Sequence, residues 1–313
     1  MPAHRHLYLF LYSDGECYED NIIFMCFHDR IAIILNNDAL QSIPSIEYTF
    51  GDVHGECMAD YASLDLRNIP WNDIKYKNCP GYEIIKSSHT RRVIRFTFMP
   101  KNSIPEVVLY AKRMRIRSLK RTFGSIFVSS KACREWILGH KLRAMNIITP
   151  LPVIYAERHK GLALQESFLV VTAIEDMCSL YERYQKCPDD ALKQRLLCAG
   201  AAFLASLHSH GIYHDDFCTE HIFVPLADTA IRNDAFGIID LDNARIYSRP
   251  VPIWKRAMNV FQFLRSIRML SLEQRHTFIY DYFQAAAMGK QASRICLKLV
   301  NLIARLKKEE PIF

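Results

Sequence analysis

Two hydrophobic periods divide the chain. Through the first half, apolar and polar residues alternate in short runs. In the second half, apolar residues recur at the three- and four-residue spacing of a helix. Residues 1–80 are the least regular. LYLFLY (7–12) and IAIIL (31–35) read as short strands there, among clusters of Gly, Asp, Asn and Pro with the composition of turns.

From Gly81 the pattern clears. GYEIIKSS, RVIRFTF and EVVLYAKRM are three strands, joined by the HTR turn and the PKNSIP loop into an antiparallel meander. SKACREWILGHKLRAM follows as a helix, with Ser129 or Ser130 as its N-cap, and ITPLP breaks it. PVIYAER and SFLVVTAI are two more strands, so the order up to about Glu175 is β-β-β-α-β-β. DDALKQRLLCAGAAFLASLHSH is a long helix that starts near Asp189 or Asp190 and is closed by Gly211. Next come the loop HDDFCTEH, the strand pair HIFVP and FGIIDLD, and mostly helix from about Ile253 to Lys308. The pattern divides the chain into a β-containing extension (1–80), a β-rich part (81–175) and a helical part (176–313).

Composition narrows the classes. The 313 residues, half of them hydrophobic, suffice for one large domain or two modest ones. No apolar run approaches the roughly 18–20 residues that span a bilayer. The first ten residues lack the long apolar region and small-residue cleavage site of a signal peptide. The ten cysteines show no C-x-x-C spacing. A zinc-thiolate site is therefore not expected, and reduced thiols in a cytosolic protein are. The formal charge of +7 attracts anions without choosing among nucleotides, phosphorylated sugars and acidic lipid. No nucleic-acid-binding motif is present, and no nucleic-acid partner is expected. His54, Cys57 and Asp60 are metal-ligand types, but no second cluster completes a site, and the stretch reads as a polar loop.

The residues at the element junctions carry chemistry. In HGIYHDDFCTEHIFV, His214, Asp215 and Asp216 followed by His221 resemble the H-R-D-L-x-x-x-N loop of protein kinases. Asp216 stands where the carboxylate that takes the substrate hydroxyl proton is found. In FGIIDLDNA a strand ends in Asp240, at the place of the D-F-G aspartate that binds Mg²⁺. About two dozen residues separate the two, the span of one β-hairpin. Upstream, Lys112 ends the strand VVLYAK as the V-A-I-K lysine does, and Glu135 lies on the next helix, where it can pair with that lysine. The fold class read from this order is α+β: a protein-kinase-like two-lobed fold, with a small antiparallel-sheet N-lobe carrying one helix and a mainly helical C-lobe.

Over about Gly81 to Asp281 the chain resembles one branch, the lipopolysaccharide core kinases of Gram-negative bacteria (Kdo/WaaP family). RRVIRF, VLYAKRM, SKACREW and ESFLVVTAIED resemble its N-lobe, YHDDFCTEHIFV its catalytic loop and IIDLDNAR its metal-binding segment. The resemblance implies ATP and Mg²⁺ as cofactors and a heptose or Kdo hydroxyl of the inner core as acceptor. It also implies work at the cytoplasmic face of the inner membrane. Asp216, with His214 and His221 in the same loop, would be catalytic, and Asp240 would hold the metal. Lys112, braced by Glu135, would hold the α- and β-phosphates.

Several positions depart from the protein-kinase pattern. His221 stands in place of the Asn that ligates a second Mg²⁺. It binds metal, binds phosphate, positions Asp216, or is an ordinary hydrogen-bonded histidine. Asp215 replaces the Arg of H-R-D, so no activation by loop phosphorylation is expected. No G-x-G-x-x-G precedes Lys112. Its place is taken by SSHTRR, where Ser88 and Arg91 either grip phosphates or form a plain basic hairpin tip. The segment after Asp240 is short and lacks A-P-E, which favours a non-protein acceptor. Asn259 stands where the family has an Asp. The adenine edge would meet the connector around Thr172 and Ile174, although core strands predict the same residues. RICLKLVNLIARLKK is a basic amphipathic helix that either lies on anionic lipid or packs on its own domain. Two other readings remain open: a kinase of this fold acting on a protein or small metabolite, and a pseudokinase binding module.

Overall fold

The computed structural model describes residues 23–27, 30–34, 45–71, 81–101, 105–116 and 129–309. Among these, β1 (Ile23–Phe27) and β2 (Arg30–Ile34) form an antiparallel hairpin. The expected IAIIL strand falls on β2 but for Leu35, which, like the LYLFLY strand, lies outside the described residues.

Seven antiparallel strands form the main sheet. They are β3 (Ser45–Phe50), β4 (Val53–Met58), β5 (Tyr82–Ser87), β6 (Arg91–Phe98), β7 (Val107–Arg115), β8 (Pro152–Lys160) and β9 (Ala163–Thr172), in spatial order β3-β4-β8-β9-β7-β6-β5. Period-two alternation gives the sheet two different faces. Leu109, Ala111, Phe168 and Val170 point to one, where residues from 45–71 (Tyr48, Tyr61, Leu66 and Trp71) cover them. Met114, Leu169 and Val171 point to the other, against Ala132 and Trp136 of helix α1 (Lys131–Ala144). Lys112 shares the parity of Met114 and pairs with Leu169, so its side chain leaves the sheet on the α1 side. Ser130, one of the two expected N-caps, accepts from the Cys133 amide at 3.0 Å.

The stretch expected to be a polar loop is instead part of this sheet. His54 and Cys57 lie in β4, Cys57 is buried in the core, and Asp60 follows in a 3₁₀ turn (Ala59–Tyr61). Gly55 concealed the strand because glycine is poor in strands. Its missing side chain is nevertheless what allows the pairing with β8, since a Cβ there would come within 2.0 Å of the Tyr155 carbonyl oxygen.

The remainder is helical, with two small sheets. Strands β10 (Met177–Ser179), β12 (Ile222–Pro225) and β13 (Gly237–Ile238) form one; β11 (Ile212–His214) and β14 (Ala244–Ile246) form the other. The helices are α2 (Leu180–Lys186), α3 (Asp190–Ser209), α4 (Ile253–Ser266), α5 (Leu272–Ala285) and α6 (Lys290–Leu306). Their apolar stripes meet in one core through Leu204, Phe263 and Phe278, the last two stacked with ring centroids 4.2 Å apart. β10 and α2 had no signal strong enough to be read beforehand. Besides Leu142, which is buried in that core, two hydrogen bonds fasten α1 and the segment after it to this half. Lys131 donates to Asp242 at 2.7 Å, and beyond the end of the helix the Ile148 carbonyl accepts from the Ile238 amide at 2.9 Å.

Candidate functional site

Lys112, Glu135 and Asp240, far apart in sequence, meet between the sheet and the helical half. The Lys112 ammonium donates to Glu135 Oε1 and lies 3.3 Å from Asp240 Oδ1. Burial favours neutral forms in both Lys112 and Glu135. Their direct contact opposes this, and Lys112, facing two carboxylates, keeps its proton. Burial also pushes Asp240 towards the acid form, but Lys112 and Arg91 outweigh it and hold the carboxyl well below the usual carboxylate range. Asp240 sits in the left-handed region, at φ 60° and ψ 54°. That conformation turns the chain sharply out of β13 and aims the carboxylate into the cleft.

The residues of the loop after β11 gather beneath. The Asp216 side chain is exposed, while its carbonyl accepts from His221 Nδ1 at 2.9 Å. With Nδ1 donating in this way, Nε2 is the ring nitrogen that faces Asp240, 3.9 Å from Oδ2. One donor atom each from Asp216, Cys218 and His221 lies within 4.8 Å of the others. His214 is buried and works through its ring: Nε2 donates to the Asp240 carbonyl at 3.0 Å and Nδ1 accepts from the Asp216 amide at 3.2 Å. Burial, reinforced by His221, lowers its pKa, which keeps it in the neutral tautomer that this pair of bonds requires. His214 thus ties the backbone of one key aspartate to that of the other.

The remaining expected positions are distributed as follows. Arg91, at the start of β6, reaches across to Asp240, with Nη2 2.5 Å from Oδ1. The Ser88 hydroxyl is engaged within its own turn, accepting from the Arg91 amide at 3.0 Å. Thr172 closes the end of β9, its Oγ1 accepting from the Leu151 amide at 3.1 Å. Ile174 follows in the connector to β10 and makes no backbone hydrogen bond to another described residue.

One supporting element was read in the sequence only at Asn259. Along α4, Lys255, Asn259, Gln262 and Ser266 lie on one face at four-, three- and four-residue steps. That face runs directly under residues 213–219. Lys255 Nζ lies over the rings of Tyr213, Tyr247 and Trp254 at 4.9, 4.6 and 5.0 Å. Asn259 Nδ2 donates to the His214 carbonyl at 2.7 Å, Gln262 donates to the Asp215 carbonyl, and Ser266 Oγ accepts from the Thr219 amide at 3.1 Å. The available signal was a polar stripe on a helix whose neighbouring residues, Val260, Phe261, Phe263 and Leu264, are core.

The donor set fits a divalent cation together with a polyphosphate. Asp240 offers hard oxygen that stays ionised, and His221 Nε2 lies close by as a softer nitrogen ligand. Two buried polar atoms at the site, Arg91 Nε and Glu135 Oε2, have no hydrogen-bond partner among the described residues.

Residues 81–282 match the family described as Lipopolysaccharide kinase (Kdo/WaaP) family. A curated relative, lipopolysaccharide core heptose(I) kinase WaaP of Escherichia coli, is 24% identical over 243 residues, covering 74% of this chain and 87% of the relative. A solved structure of WaaP in complex with acyl carrier protein aligns at a TM-score of 0.47 and 20% identity, covering 69% of this chain and 88% of that one.

Proposed function

The chain belongs to the lipopolysaccharide kinase (Kdo/WaaP) family, whose members are phosphotransferases acting on sugar hydroxyls, and from that premise we propose an ATP- and Mg²⁺-dependent kinase of a heptose or Kdo hydroxyl in the lipopolysaccharide inner core. The observation that carries this reading is the convergence of Lys112, Glu135 and Asp240 above an exposed Asp216. We read the sheet with α1 as the N-lobe of a kinase-like pair and the helical half as the C-lobe.

In this reading the connector at Thr172 and Ile174 meets the adenine edge. Lys112, kept charged and fixed by Glu135, holds the α- and β-phosphates. Asp240 and His221 would hold the Mg²⁺, which would supply charge neutralisation of the polyphosphate. Asp216 accepts a hydrogen bond from the acceptor hydroxyl, orients it, and takes its proton late in transfer. His214 keeps Asp216 and Asp240 in register. Most of the rate comes from positioning and preorganised charge, with little covalent chemistry asked of the protein.

Among the described residues no helix is long and apolar enough to cross a membrane. Contact with the inner membrane would be peripheral, through α6. That helix buries Cys296, Val300 and Ala304 and exposes Ile295, Leu302 and Leu306 beside Arg294, Lys298 and Arg305.

The deciding experiment follows transfer of labelled phosphate from ATP to heptose- or Kdo-terminated core acceptors, beside Asp216→Ala. Transfer should vanish in the variant while nucleotide binding changes little. Normal turnover by Asp216→Ala would sink the assignment, and labelling of one acceptor alone would identify the sugar.

A further inference from the structure

The turn between β5 and β6 is too tight to wrap a triphosphate in backbone amides. Ser88 and Arg91 close it through the Ser88 amide and hydroxyl, which donate to the Arg91 carbonyl at 2.8 and 3.1 Å. What this hairpin brings into the cleft is a guanidinium. Arg91 Nη2 and Nη1 donate to the two oxygens of Asp240, at 2.5 and 3.4 Å. Its Nε is buried and has no partner among the described residues.

This pairing leaves two opposite needs unmet. A buried donor without an acceptor is costly, and an anion at the Nε and Nη2 edge would satisfy it. Asp240, the residue best suited to a divalent cation, carries two cations already, since Lys112 lies against the same Oδ1 at 3.3 Å. Lys112 keeps Glu135 as a partner if Asp240 is withdrawn. For Arg91, Asp240 is the sole carboxylate partner in an ion pair among the described residues. Its planar fork matches a phosphate as well as it matches a carboxylate. Polyphosphate arriving with a divalent cation offers each of the two groups a better partner.

Resting on the kinase reading, we propose that Arg91 is a catalytic residue that exchanges partners: it holds Asp240 in the nucleotide-free protein and passes to the terminal phosphate oxygens when Asp240 takes up the divalent cation. The exchange has two consequences of opposite sign. Arg91 weakens cation binding before nucleotide arrives, because it competes for the carboxylate. Once nucleotide is bound, it stabilises the charge spread over the transferring phosphoryl group, as an arginine finger supplied in cis does.

The test compares wild type, Arg91→Gln, Arg91→Lys and Arg95→Gln, the last a control on the same hairpin whose salt-bridge partner, Glu83, faces solvent. Mn²⁺ is titrated into nucleotide-free protein and followed by its paramagnetic resonance, and turnover is measured with Mg²⁺ and ATP. Arg91→Gln should bind Mn²⁺ about tenfold more tightly and lose about a hundredfold or more in kcat. Arg91→Lys should recover part of kcat, and Arg95→Gln should match wild type in both assays. Equal or weaker Mn²⁺ binding by Arg91→Gln, or an unchanged kcat, overturns the exchange. Wild-type protein that neither binds nor turns over ATP overturns the kinase reading itself, and the exchange with it. Normal wild-type turnover with an unaltered Arg91→Gln overturns the exchange alone.

Discussion

Asn259 donates from Nδ2 to the carbonyl oxygen of His214 at 2.7 Å, so its Oδ1 is the atom that meets His208 Nε2 at 3.1 Å. That choice fixes a series of donors. His208 must carry its proton on Nε2, and its Nδ1 then accepts from the Tyr282 hydroxyl at 2.8 Å. Three side chains, from α5 through α3 to α4, are thereby set in one direction, and the series ends on the backbone of His214, whose ring makes its own bond to the Asp240 carbonyl.

The position needs a donor, which an ionised Asp cannot be. Asn259→Asp should set a buried carboxylate against a buried carbonyl. We expect a loss of about 2 kcal/mol in denaturant unfolding and at least a tenfold fall in kcat, with KM for ATP little changed. Unaltered unfolding and turnover would show that the carbonyl does not depend on this donor.

Lys112 and Glu135 are a buried pair, and removing one member strands the other. Lys112→Met should cost about 3 kcal/mol of stability and abolish turnover. The double variant Lys112→Met, Glu135→Leu should regain most of the stability and none of the turnover. If both variants were equally unstable, the loss would lie in packing and not in the stranded carboxylate.

Acid should loosen the fold before it touches most carboxylates. Burial lowers the pKa of His208 to about 3, and burial with the nearby Arg143 lowers that of His140 to about 4, from 6.5. Below pH 6.5 the unfolded chain therefore binds protons that the folded chain refuses, and stability falls with pH until those folded values are reached. At pH 5 each histidine should cost about 2 kcal/mol. His208→Gln should reduce the slope of unfolding free energy between pH 6 and 4 by about 1.4 kcal/mol per pH unit. An unchanged slope would place the acid sensitivity elsewhere.

Gly211 joins α3 to β11 with φ at +75°, and a Cβ there would come within 2.3 Å of the Tyr247 carbonyl oxygen. Gly211→Ala should cost about 3 kcal/mol or more and displace the β11–β14 pair, lowering turnover with it. Gly51, at φ +58° but with open space around it, is the comparison. Gly51→Ala should cost only about 1 kcal/mol. Similar thermal unfolding for the two variants would show that the close approach is relieved at no cost.

Strands β5 to β9, α1, α3 and the group formed by Lys112, Glu135 and Asp240 were legible because each rests on short-range pattern. Period-two runs and caps are local, and each of the three charged residues sits in a short stretch that resembles a kinase motif, although the three lie far apart in the chain. What escaped depends on contacts across the chain. β4 is held in the sheet by a glycine that suits β8 and no local rule. The working face of α4 is polar because it meets backbone carbonyls and amides of another loop. The pairing of Arg91 with Asp240 joins residues 149 positions apart, and nothing near either residue announces the other.

The two fastenings of α1 bear on control. A helix held to the Asp242 turn at its start, and to β13, which leads into Asp240, just past its end, is tied on both sides of Glu135. Kinases governed by a swing of such a helix can be idle while abundant. With Lys112 and Glu135 already joined, the pair proposed to hold phosphate needs no outside signal to assemble, so output would follow how much protein is made and how much acceptor reaches it, and a cell wishing to halt the reaction would have to withhold one or the other.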